Sequence, residues 1–300
     1  MIPERKLQGS LKNSLRSVAR RTLRLLERPA GTGPQVTVPR EAWRYITKKE
    51  YLSELPDALK GDVPQASIID SSLQAFEDRD WREHFSRRLA GHGLEIGPLH
   101  RPMVRHSGMS VDYIDRFTVA ELREHYPELS ELPLVEPDII GDAETLANVA
   151  DRSYDFVIAA HVIEHMRNPI SSINAWCRVT KKGGLLYLIV PEKRAIFDRR
   201  RLRTTLEHLI LDYLEPSRER DYGHFLDYAV FVHDKSGRDA LAEADRLEAA
   251  DYSIHFHVFL PSDVVNLLQW MNENVTPLEI IEGPSMSPGA DEFHLLVRVG

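Results

Sequence analysis

The chain has 300 residues, 42% of them hydrophobic and 28% charged, enough to bury one sizeable core or a single domain with an elaborated insert. Its formal net charge of −8 argues against a protein that coats nucleic acid, because neutralising phosphates needs a basic face, and no nucleic-acid partner is expected. A single cysteine, Cys177, excludes intramolecular disulfides and cysteine-rich zinc sites; it reads as a buried, inert thiol on a helix.

The longest apolar runs, such as residues 185–190, are far too short to cross a bilayer, and no apolar signal-peptide stretch opens the chain. A reduced, cytoplasmic compartment is therefore the expectation. The first thirty residues differ from the average: Lys6, Lys12, Arg16, Arg20, Arg21, Arg24 and Arg28 surround Leu11, Leu15, Val18, Leu23, Leu25 and Leu26. That pattern fits either a basic amphipathic helix in weak contact with an anionic membrane surface or partner, or a loosely docked leader with a solvated charged face. Residues 29–39, rich in Gly, Pro and Thr, read as a linker, so residues 1–45 are set apart as a basic extension.

From about residue 79 helix and strand signals alternate. Trp81, Phe85 and Leu89 recur every fourth residue and predict a helix that stops near Gly91 or Gly93. Residues 94–96 form a short apolar strand running into a turn at Gly97-Pro98. Residues 110–115 alternate like a strand, followed by a helix around Val119–His125; residues 138–140 give a third strand ending at Gly141-Asp142, and 144–149 read as helical. Residues 156–160 are a continuous apolar run of the kind found in a strand covered on both faces. Asn168 can cap a helix with Pro169 at its first position, with Ile170, Ile173 and Trp176 turned inward and Gly183-Gly184 ending it. The strand of residues 185–190 completes a βαβ crossover, which implies parallel pairing and a right-handed connection.

Regularity then lapses over residues 191–250, a stretch with an arginine run (Arg199, Arg200, Arg201, Arg203), many His, Tyr, Asp and Glu, and a polar helix at 239–249. It reads as an insert or lid over the sheet edge and as the acceptor-binding region. The helix expected at 262–274 carries Val264, Leu267, Leu268 and Met271 inward. Strands at 278–281 and 293–299, separated by a Gly/Pro/Ser turn region, close the chain as an antiparallel edge hairpin. The expected fold class is α/β: a doubly wound, mostly parallel sheet with helices on both faces, its core made of residues 46–190 and 251–300.

In such sheets ligands sit beyond the carboxyl ends of the strands, where strand order reverses. The first strand ends in Glu95-Ile96-Gly97-Pro98-Leu99-His100-Arg101-Pro102, the second at Asp115, the third at Asp142-Ala143 and the fourth at His161. This series resembles the class I S-adenosylmethionine-dependent methyltransferase family, closely over residues 94–191 and in outline over the two closing strands. The resemblance implies S-adenosylmethionine as cofactor. It implies that Gly97 and Pro98 let the backbone approach the ligand's amino-acid end, with Glu95 orienting it directly or through water. Asp115 would accept hydrogen bonds from both ribose hydroxyls, Asp142 would receive the adenine amino group beside the backbone N–H of Ala143, and His161 would lie against the methionine portion. Leu99 and Arg101 stand where the family usually shows two further glycines. A dinucleotide site must seat a pyrophosphate on bare backbone, whereas S-adenosylmethionine carries no phosphate, so the departure counts more against a nicotinamide oxidoreductase than against a methyltransferase.

His161-Val162-Ile163-Glu164-His165 also fits the H-x-x-E-H zinc-peptidase pattern, but it follows a buried strand in a sheet of the wrong type, and no metal site is expected. O-methylation needs a base, and histidine serves near neutral pH. The candidates are His161, His208 and His224, with His255 and His257 to be tested beside them and His165 holding its helix or touching substrate. The expected activity is O-methylation of a small molecule or sugar-containing metabolite; the rival is a non-catalytic S-adenosylmethionine-binding scaffold or sensor.

Overall fold

The computed structural model describes residues 72–300; the basic extension at 1–45 and the first part of the expected core lie outside the described residues. Among the described residues eight strands form one sheet: β1 (Ala75–Phe76), β2 (Gly91–Ile96), β3 (Met109–Asp115), β4 (Ile139–Ile140), β5 (Tyr154–Ala160), β6 (Thr180–Pro191), β7 (Leu278–Met286) and β8 (Glu292–Val299). Their spatial order is β1-β7-β8-β6-β5-β2-β3-β4. Strands β4, β3, β2, β5 and β6 are parallel to their neighbours, and β8 runs antiparallel between β6 and β7. The closing hairpin is therefore part of the sheet, with β1 added parallel along its outer side.

Side chains alternate along the central strands and divide two apolar layers. Val157, Ala159, Leu186, Leu188 and Val190 face a core completed by α3 (Pro169–Val179), α4 (Leu206–Leu214) and α7 (Pro261–Asn274). Phe156, Ile158, Tyr187 and Ile189 face the opposite layer, where Trp81, Phe85 and Leu89 pack from α1 (Trp81–Ser86) and the turn after it. Helices thus cover both faces, which is why β5 and β6 read as unbroken apolar runs. Each fully buried aliphatic side chain in these layers contributes roughly 1.5–3 kcal/mol by leaving water.

Local chemistry sets the element starts. The Asn168 side chain accepts the Ser171 N–H at 3.0 Å, with Pro169 in the first helical turn of α3. Thr118 and Glu121 form a reciprocal capping box at the start of α2 (Val119–His125), satisfying donors that helix geometry leaves orphaned.

Four expectations are corrected. The strand β2 begins at Gly91, and α1 ends at Ser86; the fourfold apolar spacing continues to Leu89 because the turn after the helix packs on the same layer. Residues 144–149 are turns: the carbonyls of Leu146 and Val149, which a helix would spend internally, accept the Arg178 guanidinium at 2.7 and 2.9 Å. Gly183-Gly184 lies within β6, where the β5–β6 register shifts and a Cβ on Gly184 would stand 2.6 Å from the Asp155 carbonyl oxygen; α3 had already ended at Val179. The Gly/Pro/Ser stretch after Ile281 belongs to β7, whose pairing with β8 is irregular there.

The insert is far more regular than its sequence reads. After a 3-10 turn at Phe197–Arg200 come α4, α5 (Arg218–Phe231) and α6 (Gly237–Ala249). Phe225, Leu226, Val230, Ala240, Ala244 and Leu247 build a small core between α5 and α6, joined by Ile254 and Phe256 from the following segment. The helical period was masked because inward positions carry charge. Buried Arg201 is bonded to Asp227 on α5, to Asp198 at 2.8 Å and to the His255 carbonyl at 2.8 Å.

Candidate active site

Strand order reverses between β2 and β5: the chain proceeds outward through β3 and β4, then returns to pair β5 with β2 on its other side. Such a reversal opens a crevice at the carboxyl ends of the flanking strands. Gly97 and His161 follow directly on those two ends. The Gly97 N–H bonds to the Ile114 carbonyl at 2.8 Å and the Gly141 N–H to the Asp115 carbonyl at 2.9 Å. Gly97, Asp115 and the Gly141-Asp142 turn therefore follow one another along a single edge.

Gly97 adopts φ +59°, and a Cβ placed there would meet nothing nearer than Val162 Cγ2 at 4.0 Å, so its backbone is open to a ligand. Two non-glycine residues beside the crevice also occupy the left-handed region, Leu99 at φ 47° and His161 at φ 55°; such conformations cost of order 1–3 kcal/mol each and cluster at ligand sites. Pro98 is buried, its carbonyl closing a turn with the Arg101 N–H at 2.9 Å.

The carboxylates differ in environment. Glu95 is 1% exposed, and both its oxygens accept the Met103 N–H, at 2.9 and 3.1 Å; it clasps the loop that follows β2. Burial pushes its pKa up to about 7, against the opposing pull of the Met103 bond and Arg82. Asp115 is half-buried and is raised to about 6 by desolvation, although it accepts the backbone N–H groups of Arg116 and Phe117. Among the described residues it has no ion-pair partner, because the Arg116 guanidinium, whose charge still acts on it, turns to Asp251 at 2.7 Å. Asp142 is exposed and accepts the Glu144 N–H at 2.8 Å and the Thr145 hydroxyl at 3.3 Å, so it caps the turn after β4 as well as facing the edge. The Ala143 carbonyl is fixed by the Trp176 indole N–H at 2.8 Å.

His161 meets residues that sequence reasoning missed. Its Nε2 lies 2.8 Å from Glu292 Oε2 at the start of β8, and Arg82 of α1 grips both Glu292 oxygens at 2.7 Å. A carboxylate only accepts, so His161 donates through Nε2, and in its neutral form the acceptor lone pair lies on Nδ1, 3.7 Å from Glu164 Oε1. Burial opposes the His161 charge, but Glu292 and Glu164 outweigh it and raise the pKa. Burial likewise opposes the Glu292 charge, and Arg82 and His161 overcome it, holding that carboxyl far below its usual range. No local signal links Glu292 to His161, since 131 residues separate them.

The other candidate histidines fall into two groups. His208, Asp212, His224 and His257 come together, as do Glu164, His165 and His255. The H-x-x-E-H segment does not place two imidazoles on one helical face. Ile163–His165 is a 3-10 turn, His161 turns to Glu292, and His165 Nδ1 bonds to the Ile254 carbonyl at 2.9 Å. Burial drops His165 and His257 to about 3 and takes His224 well below its ordinary value, so these rings are neutral. His208 and His224 face each other, Nε2 to Nε2, at 3.1 Å.

Residues 90–188 match the family described as a methyltransferase domain. Over that third of the chain the sequence is similar to a methyltransferase domain. The match spans β2 to β6, the strands that form the crevice. No curated protein matches the chain. Among solved structures, an S-adenosylmethionine-dependent methyltransferase from Aquifex aeolicus is 14% identical, with 73% of this chain and 89% of that one covered and a TM-score of 0.38. The CurJ carbon methyltransferase is 12% identical over 70% of this chain and 49% of its own, at a TM-score of 0.37. The mitomycin 7-O-methyltransferase MmcR is 13% identical over 70% and 49%, at 0.36. The chain thus spans about half the length of the latter two. Likeness at this level carries no functional argument. No helix among the described residues is long and apolar enough to cross a membrane.

The residues at the crevice fit S-adenosylmethionine. Gly97 offers open backbone, and Asp115 and the exposed Asp142 place carboxylates along the edge, a setting suited to a ligand bearing ammonium and sulfonium charges and no phosphate.

Proposed function

We propose that this protein transfers a methyl group from S-adenosylmethionine to an oxygen of a small-molecule or saccharide acceptor, seated between the crevice and the insert. The observation that carries this reading is the succession of Gly97, Asp115 and Asp142 at the carboxyl ends of three adjacent parallel strands, beside the point where strand order reverses. The bound cofactor supplies a methyl group activated by its sulfonium. Asp115 holds the ribose hydroxyls, Asp142 with the Ala143 backbone receives the adenine, Gly97 and Pro98 pass close to the amino-acid end, and Glu95 acts by fixing the loop between them. His161 takes the acceptor's hydroxyl proton on Nδ1, with Glu292 accepting from Nε2 and stabilising the imidazolium that forms. Methyl transfer is an in-line displacement, so most of the remaining contribution is alignment of the two reactants. An acceptor roof made of α4, α5 and the segment before α7, with its Tyr, His and Arg side chains, favours a polar acceptor.

The test is to incubate purified protein with methyl-labelled cofactor and small-molecule extracts, then to identify the labelled product by mass spectrometry. A labelled methyl ether supports the reading. Tight cofactor binding without formation of S-adenosylhomocysteine would replace it with a non-catalytic binding module.

A further inference from the structure

We propose that His208, Asp212, His224 and His257 bind one zinc(II)-type divalent ion, which pins the insert to the sheet. The four donor atoms all lie within 4.8 Å of one another. His208 and Asp212 are one turn apart on the same face of α4, His224 comes from α5, and His257 from the extended segment that leads into α7. Ligand atoms about 2 Å from a tetrahedral ion stand roughly 3.3 Å apart. His208 Nε2 is 3.1 Å from His224 Nε2 and 3.0 Å from Asp212 Oδ2, already at that spacing.

Hydrogen bonding alone does not account for this arrangement. The single N–H that His208 Nε2 can carry cannot serve both Asp212 Oδ2 at 3.0 Å and His224 Nε2 at 3.1 Å, and among the described residues neither Asp212 Oδ2 nor His257 Nδ1, both buried, has a well-formed hydrogen bond. Orphaned buried acceptors are uncommon and call for a cause; two of them in one four-residue cluster point to a cation. The outer contacts have the form that orients metal ligands. The other ring nitrogen of His257 lies 3.3 Å from the Arg167 carbonyl, which only accepts; Nε2 therefore carries the proton and Nδ1 a bare lone pair. The other Asp212 oxygen accepts Arg220 Nε at 2.6 Å. Three imidazoles and a carboxylate suit zinc(II) better than magnesium or calcium, which prefer oxygen ligands. Four protein ligands make a closed site, the form that structural rather than catalytic zinc takes.

The position gives such an ion a task. The His257 N–H bonds to the Glu164 carbonyl at 3.1 Å, and the Asp212 carbonyl accepts the Asn168 side chain at 3.0 Å. Both partners lie in the segment between His161 and α3, so the ion would join two insert helices to the stretch that carries the candidate base. This inference does not depend on which acceptor is methylated, or on whether one is.

The test uses the full chain purified without a histidine tag or chelator. Elemental analysis is expected to give about one zinc per chain. Stripped protein should take up cobalt(II) with the intense visible absorption of a tetrahedral site, and its thermal midpoint should rise when zinc is restored. Asp212→Asn, nearly unchanged in shape, and His257→Ala should each weaken zinc by on the order of a hundredfold, whereas Glu164→Gln and His255→Ala, in the neighbouring cluster, should leave it in place. Absence of stoichiometric metal, with no cobalt spectrum on stripped protein, would overturn the proposal. So would metal that survives Asp212→Asn and is lost in Glu164→Gln. Because the stripped wild-type protein is measured as well, a variant that fails to fold does not decide the outcome.

Discussion

Asp115→Asn should move cofactor affinity and stability in opposite directions. The wild-type carboxylate is desolvated, which lifts its pKa from the ordinary aspartate value to about 6. A raised carboxyl favours the folded state while protonated: that contribution is present below about pH 4 and is lost as pH rises through 6. At pH 7.5 the ionised group therefore burdens the fold. The full shift corresponds to about 3 kcal/mol, but the side chain is only half-buried, and solvent screening reduces this to about 1 kcal/mol. Asparagine removes that burden and can still accept a backbone N–H, so the thermal midpoint at pH 7.5 should rise by about 2–4 °C. Affinity should fall. Two ribose hydroxyls on a carboxylate make hydrogen bonds worth roughly 1.5–3 kcal/mol each; an amide, with one accepting oxygen, forfeits about one of them, a ten- to hundredfold weaker Kd. Calorimetric titration with S-adenosylhomocysteine and scanning fluorimetry between pH 4.5 and 8 read both effects. The midpoint difference should vanish toward pH 4.5, and wild-type affinity should decline as pH drops below 6. A variant that keeps its affinity within about threefold, or one less stable at pH 7.5 with correspondingly weaker binding, refutes the ribose assignment.

Gly97→Ala should cost only about 1 kcal/mol in stability for its positive φ, since the space around it is open, yet reduce cofactor affinity at least tenfold by obstructing the approach to the backbone. Gly93→Ala, whose Cβ would meet the Phe156 ring at 2.0 Å, should do the reverse and lower the denaturation midpoint sharply; equal binding losses in the two variants would contradict the crevice geometry. For Glu95, raised to about 7 by burial, the same linkage makes wild-type stability fall as pH rises from 5 to 8, and Glu95→Gln should flatten that slope in thermal melts. Glu292→Gln should cost about 2 kcal/mol by weakening the Arg82 grip, measurable by urea unfolding. It should also shift the acid limb of the kcat/KM profile to lower pH, because His161 loses the carboxylate that raises its pKa; an unmoved limb would remove His161 as the base.

Much of the sheet was legible because its signals are local. Continuous apolar runs marked β5 and β6, Asn168-Pro169 marked the start of α3, and the acidic residues at successive strand ends marked the edge that the domain match covers. Signals failed where a distant group intervened. Residues 144–149 have a helical pattern, but the Arg178 guanidinium takes their carbonyls. The insert hid its helices because Asp227 and His224 occupy positions where a reader of periodicity expects apolar residues, and their partners, Arg201 and His257, come from other segments.

The candidate site divides along the same line. Sequence alone fixed the order of the strands' end residues, since Gly97, Asp115 and Asp142 each follow an element whose pattern needs only its immediate neighbours. Tertiary structure decided which histidine meets which carboxylate: His161 finds Glu292 because β8 runs back antiparallel beside β6, and His208, Asp212, His224 and His257 converge because two insert helices fold onto the segment before α7. A histidine carries no local mark of being base, ligand or core filler. Its protonation and its partners are set by burial and by groups tens to more than a hundred residues away, which only the folded chain brings within hydrogen-bonding distance.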